Sequence, residues 1–194
     1  MNHISILISG ILILCLVTQN CFAQDKFEEE SRIKSEEVPE AARTFIDEIH
    51  VDKKVRWYCE TGLDSKSIEA KFKKNKTRYS IEFDTTGIIQ DAELEICWED
   101  LAPLIRANIS AELGEICAKY ETRKIQIQYT GEENDLLLCL AEKGPTEKLT
   151  TKYELIVKCK NKYRVDLFEY LFSEEGKLLG SSKIVFKNSS NLEY

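Results

Sequence analysis

Past an apolar first segment, the chain keeps a single histidine, His50, and five cysteines: Cys59, Cys97, Cys117, Cys139 and Cys159. An imidazole-based metal centre or a Ser-His-Asp relay needs more than one lone histidine. His50 falls where a helical pattern ends and reads as a helix-terminal residue. The cysteine spacings, 38, 20, 22 and 20, contain no C-x-x-C, so neither a zinc site nor a thioredoxin-type motif is indicated. No G-x-S-x-G, H-E-x-x-H or G-x-x-x-x-G-K-[ST] occurs. Glu93 and Glu95 share a strand face, as paired catalytic carboxylates do, but solvated strand positions are the plainer reading. Asp84 in Asp84-Thr85-Thr86-Gly87 offers one oxygen where a calcium loop needs several, so a hairpin turn is expected. The chain is therefore expected to be no enzyme, and to hold no metal and no cofactor.

The segment Ile4–Val17 is the one long apolar run. At about 14 residues it is short of the roughly 20 that span a bilayer. Cys21 and Ala23 stand at −3 and −1 of a cleavage after Ala23, which is the layout of a secretory signal peptide over residues 1–23. The n-region has no Lys or Arg, and Leu14 and Asn20 precede the two cysteines where a lipoprotein would have a small residue. A cleaved signal is favoured over an uncleaved anchor or a lipoprotein, placing the protein in the periplasm or outside the cell, with no membrane contact after cleavage. Export permits disulfides. At most two intrachain bridges are expected, with Cys139 and Cys159 the best-placed pair, near successive strands.

The charge balance is 27 Lys+Arg against 34 Asp+Glu, or −7, with 43% apolar residues. That is a globular composition, and its sign argues against a general nucleic-acid partner. Residues 24–37 are polar and read as a flexible leader. Val38-Pro39-Glu40 is a helix start, with Pro39 at the first helical position and Ala42, Phe45, Ile46 and Ile49 on one stripe. Four segments of period two follow, around Val55–Cys59, Ile68–Phe72, Tyr79–Phe83 and Ala92–Trp98. The pattern then restarts. Asp100 is expected to cap a helix carrying Leu101, Leu104, Ile105, Ile109, Leu113, Ile116 and Tyr120. Strands around Ile125–Tyr129, Tyr153–Cys159, Phe168–Phe172 and Leu178–Phe186 follow, with an insertion at 132–150. A tail at 188–194 should fray.

The order is α-β-β-β-β twice, over 38–98 and 100–187. Two F-x-x-x-G turns, Phe83 to Gly87 and Phe172 to Gly176, lie 89 residues apart. Short connections require antiparallel neighbours. The expected fold is α+β: tandem α-β4 repeats forming one mostly antiparallel sheet of about eight strands, with two helices on one face.

Val38-Pro39-Glu40-Ala41-Ala42 and Tyr79-x-x-x-Phe83-Asp84-x-x-Gly87 resemble the PepSY-like domains of exported proteins, also called beta-lactamase-inhibitor-like. Lys124-Ile125-Gln126, Tyr153-Glu154 and Phe168-x-x-x-Phe172-x-x-x-Gly176 carry the likeness through the second half. The resemblance implies the tandem layout of the beta-lactamase inhibitory protein and a periplasmic, non-enzymatic binding module. The insertion, and Ser173 where the first turn has Asp84, depart from the pattern.

The leading functional expectation is a module that binds another protein, an inhibitor of a periplasmic hydrolase being one form of it. The alternative is a carrier of a small ligand or peptide, with a pocket between sheet and helices. The sheet face away from the helices is the candidate partner surface. It carries Arg56, Tyr58, Glu69, Lys71 and Lys73 in the first half, and Ile156, Leu167, Glu169 and Leu171 in the second. Three aliphatics on a nominally wet face point to an interaction site, unless the leader, the insertion or a homodimer contact covers them. Lys71, Lys73, Lys74, Lys76 and Arg78 cluster on one hairpin. This is either a charged edge that resists strand pairing or a dock for an acidic partner.

Overall fold

In the computed structural model, which describes residues 24–185 apart from 27–28, 52–53 and 63–64, every alternating segment is a strand of one sheet. The elements are β1 (Gln24–Lys26), β2 (Glu29–Ile33), α1 (Glu40–Glu48), β3 (Arg56–Thr61), β4 (Lys66–Lys74), β5 (Thr77–Asp84) and β6 (Ile89–Glu95). They continue with α2 (Pro103–Ile116), β7 (Lys119–Thr130), α3 (Glu133–Leu138), β8 (Thr150–Lys160), β9 (Val165–Ser173) and β10 (Leu178–Ile184). The strand order is β1-β10-β9-β8-β7-β6-β5-β4-β3-β2, and every pair is antiparallel except β1 with β10. The mostly antiparallel α+β expectation holds. The proposed signal peptide and the 188–194 tail lie outside the described residues.

Residues 24–37 are not a free leader. β1 pairs with β10 at one edge and β2 with β3 at the other, with only two residues between them. A flat sheet of ten strands spaced about 4.8 Å would hold its edges about 43 Å apart. Three Cα steps reach at most about 11 Å. The sheet must therefore curl until one short segment serves both edges. Strand directions agree. β3 to β10 alternate, so β10 runs opposite to β3; β2 is antiparallel to β3 and β1 parallel to β10, so β1 and β2 run the same way. The polar composition of this segment hides its role, because its hydrogen bonds come from the backbone.

The two longer helices, α1 and α2, lie on the convex face. Alternate residues of β3–β6 form a core with Ala42, Phe45 and Ile46 of α1; those of β7–β9 form a second core with Ile109 and Leu113 of α2. Ala92 faces Tyr129 and Leu94 faces Ile127 across β6 and β7, so both cores belong to one continuous sheet face. Each F-x-x-x-G turn tucks under a helix. Gly87 and Gly176 have φ of +95° and +80°, where L-residues are strained. A Cβ on Gly87 would lie 2.9 Å from the Ala42 nitrogen, and one on Gly176 2.9 Å from the Ile105 oxygen. The turn hydrogen bonds match: Gly87 N donates to Asp84 O at 3.0 Å, and Gly176 N to Ser173 O at 2.9 Å. The Ser173 hydroxyl accepts from Glu175 N and Lys177 N, as the Asp84 carboxylate accepts from Thr86 N and Ile88 N. The substitution therefore keeps the turn.

Several local expectations change. Pro39 is the N-cap of α1, one position earlier than expected. β6 stops at Glu95, and Trp98–Asp100 form a 3-10 turn whose Asp100 carboxylate accepts from Cys97 N at 2.8 Å. Asp100 therefore caps that turn, and α2 starts at Pro103 instead. α2 ends at Ile116, which puts Tyr120 on β7, and Leu104 is 72% exposed. The insertion is packed in: Leu136, Cys139, Leu140 and Leu149 join the first core, on the helix side.

The cysteine pairing is also corrected. Cys117 bonds Cys159, with Cα atoms 5.5 Å apart, tying the end of α2 to the end of β8. Cys139 is a free, buried thiol in the first core, as is Cys59, while Cys97 is free and exposed. Cys139 lies before the start of β8 and Cys159 near its far end. Nine residue steps along the strand, about 30 Å, separate Thr150 from Cys159, far beyond the reach of a disulfide.

Candidate functional site

All nine residues expected on the partner face do share the face opposite the helices, in two groups. Arg56 pairs with Lys71 and Tyr58 with Glu69 across β3 and β4, while Lys73 faces Arg78 on β5. On the other side Ile156 pairs with Glu169, Glu154 with Leu171, and Lys158 with Leu167. The curl makes this the inner, concave face. Ile156, Leu167, Glu169 and Leu171 are half-buried there, and Arg56 and Lys73 are exposed.

Between the two groups runs a carboxylate floor. Gln126 is 3% exposed and Glu69 9%, with Ser67 and Ser80 equally shut in, although both helices sit on the other face. Curvature buries these polar groups. The same curvature brings Glu93 on β6 under the influence of Glu69, two strands one way, and Glu169, three strands the other. Burial, then Glu82, Glu154 and Glu69, push the Asp91 carboxyl up to about 7. Burial, then Asp91, push Glu93 up to about 7. Gln126 Nε2 donates to Glu93 at 2.6 Å, and Gln128 Nε2 lies 3.4 Å from Asp91. The solvated reading of Glu93 is thus corrected. Glu95, nearer the sheet end, is held by Arg78 at 2.9 Å.

The two raised values predict a pH dependence. The ordinary values for Asp91 and Glu93 are 3.8 and 4.5. The folded values lie above these, so the folded chain binds more protons between about pH 4 and pH 7. The stabilising contribution is full below about pH 4 and lost as pH rises through about 7. Glu93→Gln, which has no charge to bury, should raise stability at pH 8 by about 2 kcal/mol relative to its effect at pH 4. Urea titrations at the two pH values check this; an equal shift at both would reject it.

On the first-half wall, Lys71 Nζ lies 2.6 Å from Glu30 and 2.7 Å from Glu69. It sits 5.1 Å above the Tyr58 ring. Ser80 also donates to Glu69. Burial works against both charges, but mutual attraction more than offsets it, so Lys71 is held above its usual range and Glu69 below. The oxygens of Glu30, Glu60 and Glu69 converge within 4.8 Å, a spacing that suits a cation. The Lys71 ammonium already occupies that role. Lys71 and Arg78 are thus engaged with carboxylates, and Lys74 Nζ donates to the carbonyls of Ile49 and Leu140 at 3.2 and 3.1 Å. Most of the basic hairpin is consumed within the fold.

At the rim of the second half, apolar surface breaks out. Tyr163, on the β8–β9 hairpin, is 87% exposed, with Lys162 Nζ 5.2 Å from its ring, and Ile116 at the end of α2, Tyr120 on β7 and Val165 on β9 are exposed as well. Along β9 Leu167 and Leu171 follow on the same face, with Glu169 between them. Lys119, Lys158, Lys160 and Lys162 surround the rim and make no ion pair among the described residues. The Cys117–Cys159 bond pins the two elements that carry it.

A separate cavity of about 780 Å³ opens at the other edge, between β2, the 3-10 turn Ser35–Glu37, α1 and the start of β3. Nothing local marked the cavity or the carboxylates of the hollow in the sequence. A polar residue at an alternate strand position reads the same on a flat wet face as inside a curl.

The class that this geometry defines is a single-sheet α+β protein, with helices outside and an acid-floored hollow inside. A crystal structure of a DUF2874 family protein from Bacteroides ovatus ATCC 8483 is similar, with a TM-score of 0.52 at 12% identity, covering 75% of this chain and 87% of that one. At that identity the likeness is one of fold alone. No family model matches the chain, and no curated protein does.

Proposed function

We propose that this chain is an exported, non-enzymatic binding module of the PepSY-like, beta-lactamase-inhibitor-like kind, and that it docks an acidic protein through the rim of its second half. Two α-β4 units make the fold, as in the beta-lactamase inhibitory protein. The repeated element order and the two matching turns under the helices support that reading. The observation that carries the docking surface is the exposure of Tyr163, Tyr120, Val165 and Ile116 at the neighbouring ends of α2, β7 and the β8–β9 hairpin, beside lysines that make no ion pair among the described residues. Aromatic anchors supply much of the energy of protein interfaces, and a cationic ring selects acidic partners and speeds encounter. Leu167 and Leu171, half-buried on either side of Glu169, add apolar surface inward from the rim. Inhibition of a periplasmic hydrolase is one outcome such docking can have.

The test is a pair of variants, Tyr163→Ala and Lys162→Glu, at positions too exposed to disturb folding. Cross-linked capture of an acidic exported protein should be saturable with the parent chain. It should fall at least about tenfold with either variant while the thermal midpoint stays put. Capture unchanged in both would remove the rim from the interface. Leu167→Ser with Leu171→Ser extends the test inward.

A further inference from the structure

The cavity at the β2 edge is unlike the rest of this acidic chain. Five cations line it: Arg32, Lys34, Arg43, Lys54 and Arg56, against the two carboxylates Glu36 and Asp47. Its lining is therefore net positive by three, in a protein whose total is −7. None of the five is in an ion pair among the described residues. The Arg43 Nε is buried and meets no acceptor there. A buried guanidinium N–H without a partner is unusual, because its desolvation is uncompensated. The apolar part of the wall comes from Ile33, Ile46, Val55 and Trp57.

We infer that this cleft binds a small organic anion: an oxyanion group held by the arginines, on an apolar body that packs against Val55 and Trp57. Arg32, Arg43 and Arg56 all line this cleft, and the planar fork of a guanidinium donates two parallel hydrogen bonds to a phosphate or carboxylate. Like-charged side chains crowded together repel unless an anion joins them. A volume of about 780 Å³ lies within the range of small-molecule sites. The positions have separate causes in the fold. Arg32 and Arg56 come from the paired strands β2 and β3, Arg43 from the outer helix α1, and Lys34 from the turn between β2 and α1. The cleft therefore exists only because the leader is paired into the sheet. Its lining shares no residue with the groove at the second-half rim.

Phenyl phosphate and benzoate are suitable probes, with inorganic phosphate and benzyl alcohol as the two half-ligands. Calorimetry on the mature chain should find saturable binding of phenyl phosphate or benzoate, at least about tenfold tighter than either half-ligand. Lys54→Glu with Arg56→Glu, both at exposed positions, should weaken binding at least about tenfold without moving the thermal midpoint. Arg43→Gln should weaken it as well, and circular dichroism would show whether that variant is folded. No binding by millimolar probe, or binding indifferent to the double charge reversal, would overturn the site. Inorganic phosphate binding as tightly as phenyl phosphate would overturn the apolar half of the assignment. Binding to vesicles containing phosphatidylglycerol without any binding of the free probes would overturn it in favour of a lipid surface.

Discussion

Truncating Phe83 or Phe172 to Ala should lower the stability of the chain by about 3–5 kcal/mol each. Both side chains are completely buried, and each stands four residues before a glycine of positive φ. Phe83 packs its ring 5.6 Å from that of Phe45 in an edge-to-face arrangement and 6.1 Å from Trp57, so it couples β5 to α1 and to β3. Phe172 lies between Tyr153 on β8 and Leu178 on β10, beside the Tyr170 ring at 6.4 Å. Removing either ring leaves a cavity at the point where a turn is wedged beneath a helix. Neighbouring backbone that already meets a glycine closely cannot move in to fill it. Denaturant titration of the two variants measures the effect. A loss below about 1 kcal/mol in either would mean that the ring does not fill a rigid site.

Breaking the Cys117–Cys159 bond should cost about 4 kcal/mol, the loop-closure value for a sequence separation of 42. The paired Cys117→Ala and Cys159→Ala variant isolates that cost from the reactivity of a stray thiol. Cys139→Ala, which trims a small side chain in the first core, should cost far less. Peptide mapping without reductant should recover a linked peptide joining 117 to 159. A linkage from Cys139 to Cys159, or a double variant as stable as the parent, would reject the pairing. Because the bond also pins the hairpin end that carries Tyr163, reduction should weaken capture of an acidic partner even where the chain stays folded.

The eight strands after the leader and their antiparallel pairing were legible in the residues because their signals are local. Val55 to Cys59 and Tyr79 to Phe83 alternate with period two, Asp84 to Gly87 spells a turn, and both glycines sit where only glycine is relaxed. Local signals also placed Arg56, Tyr58, Lys71, Lys73, Ile156, Leu167, Glu169 and Leu171 on one face, since a face follows from counting alternate residues. What that face encloses did not follow. Backbone hydrogen bonds from Gln24–Lys26 and Glu29–Ile33 to opposite sheet edges leave no trace in side-chain pattern. Those bonds decide that the sheet curls, that Asp91 and Glu93 lie half-buried in a hollow rather than on an open face, and that Arg32, Lys34, Arg43 and Arg56 line one cavity. Cys117 and Cys159 likewise meet only because α2 lies across the sheet and ends beside the far end of β8. Period and turn chemistry are properties of a few consecutive residues. Closure, burial and disulfide reach are distances between residues far apart in the chain, and only the folded sheet sets them.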